Sequence, residues 1–147
     1  MGDYWTNAVR HPEDVGVGHI RRTVTFNQSG IGSTLGIPIG ALEAGAIPRH
    51  ADVTIVEAFN AGTTNVLVVG TADDDDGFAV TAGTASGATG WKDGLKGALS
   101  GQPLAKNTVV YAKYTSTGTA PTTGKAIVTL TFVNKREIEG TAFPNNP

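Results

Sequence analysis

A chain of 147 residues suits one domain, long enough to bury about two-thirds of the surface its unfolded form exposes. It has no cysteine, which excludes a disulfide framework, a thiolate nucleophile and a cysteine metal cluster. With only 16% charged residues and a net charge of −2, it lacks the basic excess of a nucleic-acid-binding domain and the polybasic clusters that seek anionic membranes, so neither partner is expected.

The composition favours strands. Val and Ile together far outnumber Leu, and Thr is as abundant as Gly. β-branched side chains fit a pleated, half-buried surface, whereas Leu is the stronger helix former. No apolar run approaches the ~20 residues of a membrane-spanning helix. The opening stretch, MGDYWTNAVRHPEDVGVGH, has neither the basic start nor the apolar segment of a secretion signal.

Residues 1–19 show no sustained period and are expected to form an N-terminal arm. Tyr4 and Trp5 stand out in this polar stretch as candidate anchors on a neighbouring surface, because aromatics bury much area at low entropic cost. From residue 20 the period becomes two: Ile20, Val24 and Phe26 alternate with Arg21, Thr23 and Thr25, and Arg22 breaks the apolar side. A Gly/Ser-rich loop leads to Ile37, Pro38, Ile39 and Gly40. A short strand is expected over 41–47, stopped by Pro48, Arg49 and His50. Residues 51–59 alternate again, with Val53, Ile55 and Phe59 on one side and Glu57 out of step. Strands are further expected over 65–71, at 78–80 beyond an acidic turn, over 108–115 and over 125–134. In the last of these Val128, Leu130 and Phe132 should face the interior. The segment 90–100, GWKDGLKGALS, spaces Trp91, Leu95 and Leu99 by four. Its three glycines limit it to a turn or two of helix, or an ordered loop. Residues 135–147 form a C-terminal tail whose one aromatic is Phe143.

About eight short strands with turn signals every 8–12 residues predict an all-β antiparallel sandwich of jelly-roll-like form over residues 20–134, with extended terminal arms. The connections are too short for the helical crossovers that parallel strands need.

Candidate chemistry is sparse. Four consecutive carboxylates, Asp73, Asp74, Asp75 and Asp76, precede Gly77 and suggest calcium. Counted from Asp73, glycine falls fifth rather than sixth and the twelfth residue is Thr84, so the calcium-loop pattern fails and a solvated turn with Asp-Gly chemistry is the simpler reading. Gly30, Gly32 and Gly36 have the wrong spacing for a dinucleotide loop. His11, His19 and His50 are scattered, and no serine sits in a nucleophile elbow. Glu57 is expected to pair with a cross-strand Lys or Arg rather than to act in a glycosidase pair with Glu43. No catalytic residue, cofactor or bound metal is expected.

Two stretches carry a resemblance. They are ALEAGAIPRHADVTIVEAFNAGTTNVLVVGTADDDDGFAV and LAKNTVVYAKYTSTGTAPTTGKAIVTLTFV, within residues 41–134. In both, the succession of strands and turns resembles small structural proteins of tailed bacteriophages, the head decoration (cement) proteins with a jelly-roll-type β-sandwich. The shared features are an Ala-Gly-Ala-Ile segment before a long strand, a Phe-Asn-Ala-Gly-Thr turn before an apolar Val-Gly-Thr strand, an Asp-Gly-Phe turn, and a Val-Tyr-Ala strand leading through Thr-Gly-Thr-Ala-Pro-Thr-Thr-Gly to the last strand. The resemblance implies a non-enzymatic virion protein, made in the host cytoplasm, that decorates and stabilises the shell by binding major capsid protein subunits. It also implies a homo-oligomer, a trimer ahead of a dimer. The arms have no counterpart in it, so Tyr4, Trp5 and Phe143 are capsid-contact candidates on their chemistry alone. The alternative is a carbohydrate-binding jelly-roll module, with calcium at 73–76 and Trp5, Trp91 or the tyrosines stacking on sugar rings. A small hydrolase ranks last for want of a constellation.

Overall fold

The computed structural model describes residues 17–79 and 87–134, and in it the alternating stretches become seven strands. These are β1 (Val17–Thr25), β2 (Ile37–Leu42), β3 (Ile47–Glu57), β4 (Thr64–Gly70), β5 (Gly90–Leu95), β6 (Thr108–Thr117) and β7 (Lys125–Val133). They form two antiparallel sheets, ordered β1-β7-β3-β5 and β2-β6-β4. The expected strand at 78–80 is reduced, among the described residues, to one bridge between Ala79 and Val69, and Val80 lies outside them.

The pairing is nested. β1 pairs with β7, β2 with β6, β3 with β5, and β4 with the Ala79 bridge. That is one long hairpin whose tip is the acidic turn at 71–77. Folding it over adds the β3–β7 and β4–β6 pairs and makes two facing sheets, the jelly-roll form of a sandwich.

Alternate residues of each strand fill the space between the sheets. Val24, Val53, Ile55, Ala126, Val128 and Leu130 come from the four-stranded sheet. Ile37, Ile39, Leu42, Leu67, Val69, Val110 and Ala112 come from the other. Burial of each large side chain contributes on the order of 1.5–3 kcal/mol. Phe59 and Phe78 enter the core from turns and are fully buried. The Phe59 ring stacks at 41° on Tyr114, 4.5 Å between centroids, and lies against Gly124, whose φ of +148° and lack of a Cβ make room for it. Asn60 fixes the same junction: its Oδ1 accepts the amides of Thr122 (2.7 Å) and Thr123 (3.0 Å), and its Nδ2 donates to the Thr122 hydroxyl (2.8 Å).

Three expectations need correction. β1 begins at Val17, so residues 17–19 of the stretch expected to be an arm are sandwich, paired with Val133, Phe132 and Thr131. Pro48 does not stop a strand: the strand before it ends at Leu42, and β3 runs through it. A bulge between Pro48 and His50 removes the ladder bond proline cannot donate, and the Pro48 carbonyl accepts from the Gly101 amide at 2.7 Å. The helix candidate is the edge strand β5. Gly90 and Gly94 sit at φ +147° and +63°, outside any helix, and the Gly94 amide donates to Asp52 Oδ1 at 2.8 Å across the bulge between Ala51 and Val53. Phe132 does face inward with Val128 and Leu130, as expected, and packs against the core, where it is partly buried and covers Gly18, its partner on β1.

The two phenylalanines should therefore separate in a denaturation series. Phe59→Ala is expected to cost about 3–5 kcal/mol, and the half-buried Phe132→Ala roughly half as much. Equal losses in urea melts would contradict this placement of the core.

Candidate interaction surface

The acidic turn is built for structure. The Thr71 hydroxyl accepts the amides of Asp73 (3.3 Å) and Asp74 (3.1 Å), while the Thr71 amide donates to the Asp74 carbonyl (2.7 Å), as does Gly77 (3.2 Å). The turn folds back onto β4 so closely that a Cβ on Gly70 would strike the backbone of Asp74 and Asp75. Two lysines of the second half of the hairpin meet it. Lys113 Nζ lies 2.8 Å from Asp75 Oδ2 and Lys106 Nζ 3.1 Å from Asp73 Oδ2. Lys113 is well buried along its side chain, whereas the Lys106 pair is exposed.

Asp74, Asp75 and Asp76 bring one carboxylate oxygen each within 4.8 Å of one another. Partial burial raises the Asp76 pKa above its ordinary value. A hydrogen bond with Asp74 and the nearby charges of Asp74 and Asp75 push it the same way. The Lys113 ammonium on Asp75 relieves part of the repulsion by means internal to the protein. The depression beside the turn, lined by Thr71, Asp73, Lys106 and Tyr111 among others, has a volume of about 200 Å³. That is small against the several hundred Å³ of ordinary ligand sites.

The broad free surface is the outer face of the four-stranded sheet. With Val53, Ile55, Val128 and Leu130 turned inward, the intervening residues face out in rows across β1, β7 and β3. One row is His19, Thr131, His50, and the next is Arg21, Thr129, Asp52. A third, Thr23, Ile127, Thr54, extends to Trp91 on β5. His19 Nδ1 lies 3.2 Å from the Thr131 hydroxyl, and His50 Nε2 lies 3.8 Å from Asp52 Oδ2. Trp91 is 67% exposed and Val56, near it on β3, 50%. The four-residue spacing of Trp91, Leu95 and Leu99 hid this exposure, because it suggested one helical face. Glu57 falls opposite Lys125 in the β3–β7 register, although the two side chains do not come within 4.0 Å as an ion pair. Tyr4, Trp5 and Phe143 lie outside the described residues.

The acidic turn makes a signed prediction. A carboxyl whose folded pKa is raised above its unfolded value weakens the fold as pH rises through that interval, and does not once both states are protonated. Asp76→Asn supplies a permanent donor to Asp74. It should melt at least as high as the parent near neutral pH, with the difference closing in acid. Asp75→Asn strands the Lys113 ammonium and should cost about 0.5–1 kcal/mol at neutral pH. Melting temperatures from pH 3 to 8 check both, and a large loss in Asp76→Asn at pH 7 would contradict the raised pKa of this carboxyl.

No protein-family model and no curated protein matches the chain. Among solved structures, a chain of the cyanophage Pam1 capsid asymmetric unit is similar, with a TM-score of 0.57 and 19% identity over 86% of this chain and 90% of that one. At that identity the likeness is one of fold, and it extends over nearly the whole of both chains.

Proposed function

We propose that the protein is a non-enzymatic component of a tailed-phage virion that binds the outside of the capsid shell and stabilises it. The observation that carries this reading is the shared fold with a chain of a phage capsid asymmetric unit. The resemblance of residues 41–134 to head decoration proteins points the same way. The sandwich supplies a rigid body: its hairpin tip and the Asn60 junction are both tied by side-chain hydrogen bonds to backbone. A rigid partner loses little conformational entropy on docking. Residues 1–16 and 135–147 supply attachment through Tyr4, Trp5 and Phe143, with aromatic burial offsetting the cost of ordering an arm. The major capsid protein is the partner. Because shell proteins sit on or around symmetry axes, the chain associates with copies of itself, as a trimer in preference to a dimer.

The test is to mix the intact chain with undecorated heads and measure occupancy after sedimentation. Binding is expected to saturate at a fixed ratio to the major capsid protein and to raise the temperature at which heads break. Because β1 starts at Val17, the informative truncation removes residues 2–15 and leaves every strand intact. It should fold normally and bind at least tenfold more weakly. Failure of the intact chain to bind would overturn the reading, and undiminished binding by the truncated chain would remove the N-terminal arm from the mechanism.

A further inference from the structure

We propose that the outer face of the β1-β7-β3-β5 sheet is a docking face for a protein surface that presents an apolar recess ringed by carboxylates. Trp91 fills the recess, and Arg21, with His19 beside it, meets the acids. This rests on the capsid reading and deepens it, naming the face that the sandwich itself turns to the shell.

Three independent observations carry it. The first is a difference between the two outer faces. On the three-stranded sheet the acidic turn lies over the end of β4, so that Val68, though outward-facing, is only 5% exposed. On the four-stranded sheet Thr131 is buried between His19 and His50, but the rows beyond it are open: Arg21, Thr23 and Trp91 are exposed, and Thr129, Asp52, Ile127 and Thr54 are partly so.

The second is charge. Arg21, in the second row, and Arg49, in the bulge beside His50, are exposed on the four-stranded sheet, while the four consecutive aspartates lie beyond the opposite one; Arg22 stands opposite Val128 in the inward-facing register and does not belong to this face. Among the described residues, the carboxylates within 4.0 Å of a basic side chain lie beside His50, Lys106 and Lys113, and none lies beside Arg21 or Arg49. The Asp52 carboxylate, the one acid within the rows, is engaged by the Gly94 amide and approached by His50. The unmet charge of this face is therefore positive, and its complement is a carboxylate. Phosphate is the poorer complement, because Asp52, Glu57 and Asp93 stand on the same sheet and would repel a polyanion.

The third is Trp91. An indole two-thirds exposed on an edge strand, with Val56 near it, is the kind of patch that marks a protein interaction site. Trp and Arg are the residue types that most often dominate binding energy at interfaces. Between them lie Thr23, Thr54 and Thr129, short β-branched side chains with little rotamer freedom to lose when a partner covers them.

The experiment compares the full chain with Trp91→Ala, Arg21→Glu and the opposite-face control Asp73→Asn, each mixed with undecorated heads at two salt concentrations. Melting curves and light scattering first establish that fold and self-association are kept. Trp91→Ala and Arg21→Glu should each weaken binding about tenfold or more, and Asp73→Asn should leave it unchanged. Arg21→Glu should also flatten the salt dependence. In a Trp5→Phe chain, where Trp91 is the remaining tryptophan, the fluorescence should shift to the blue on binding, since water leaves the indole. Parent-like binding by both face variants, with the intact chain bound, would overturn the docking face and leave the capsid reading standing. An intact chain that binds no head overturns the capsid reading and this proposal with it. Loss of self-association in Trp91→Ala without loss of head binding would assign the face to contacts between copies instead, and tight binding to duplex DNA in place of heads would assign it to phosphate.

Discussion

The turn at 71–77 sets the register of this molecule. β1 to β4 run up to it and β5 to β7 run away from it, and each strand of the first half pairs with its counterpart in the second. A period-two strand shifted by one residue turns its whole apolar set to the wrong face. The tip must therefore have one length and one position, and it is held accordingly. Thr71 caps it, Asp74 closes it, and Gly70 lets it lie against the strand it leaves. Lys113, from β6, reaches across to Asp75, so the second half of the hairpin also grips the tip. The acid run works as turn chemistry plus two cross-hairpin ion pairs.

A second junction holds the far side. The turn after β3 and the turn before β7 are distant in sequence, yet Asn60 binds the backbone of Thr122 and Thr123, and the Phe59 ring occupies the space beside Gly124. Backbone bonds from Gly62 to Thr119 and from Thr63 to Thr117 continue the seam. Tyr114 joins the junction to the core: its ring packs on Phe59, and its hydroxyl donates to Asn65 Oδ1 at 2.6 Å, which also accepts the Ala61 amide. A buried hydroxyl without a partner would cost about 1–3 kcal/mol, so this bond is needed for the aromatic pair to sit where it does.

The parts that could be read from sequence are those where one local rule acts alone. β6 and β7 alternate between buried and less buried residues over 109–114 and 125–130, and the predicted bounds, 108–115 and 125–134, lie within two residues of the observed ones. β5 was not legible, because its conformation depends on a partner. Gly90 and Gly94 weaken a helix without specifying a strand, and the strand exists because β3 offers an edge and Asp52 receives the Gly94 amide. Pro48 misled for the same reason, since a bulge is a property of two strands and proline is a property of one. The outer-face rows were equally hidden. His19, Thr131 and His50 stand 31 to 112 positions apart, and only the register brings them side by side. The acid run was the conspicuous local cluster, and its turn role followed from its failure to match a calcium loop.

In many β-sandwiches, binding sites lie in the loops at the ends, with the sheets as scaffold. Here the described loops spend their polar groups on one another: Asn60 on Thr122 and Thr123, Thr71 on Asp73 and Asp74, Asn107 on the Ala44 amide, Ser100 on the Gly97 amide. A loop whose hydrogen-bonding groups are already satisfied has little left to offer a small ligand, and the depression beside the acidic turn is correspondingly slight. The sheet face is different. It is broad, studded with threonine, charged on one side and apolar on the other, and backed by a core that cannot deform without opening cavities. Such a surface recognises another surface by shape and charge over many shallow contacts. In the proposed docking, the exposed indole and an arginine without an ion pair among the described residues supply the few deep ones. With its described loops tied to one another and one face open, the sandwich has the free surface that such docking requires.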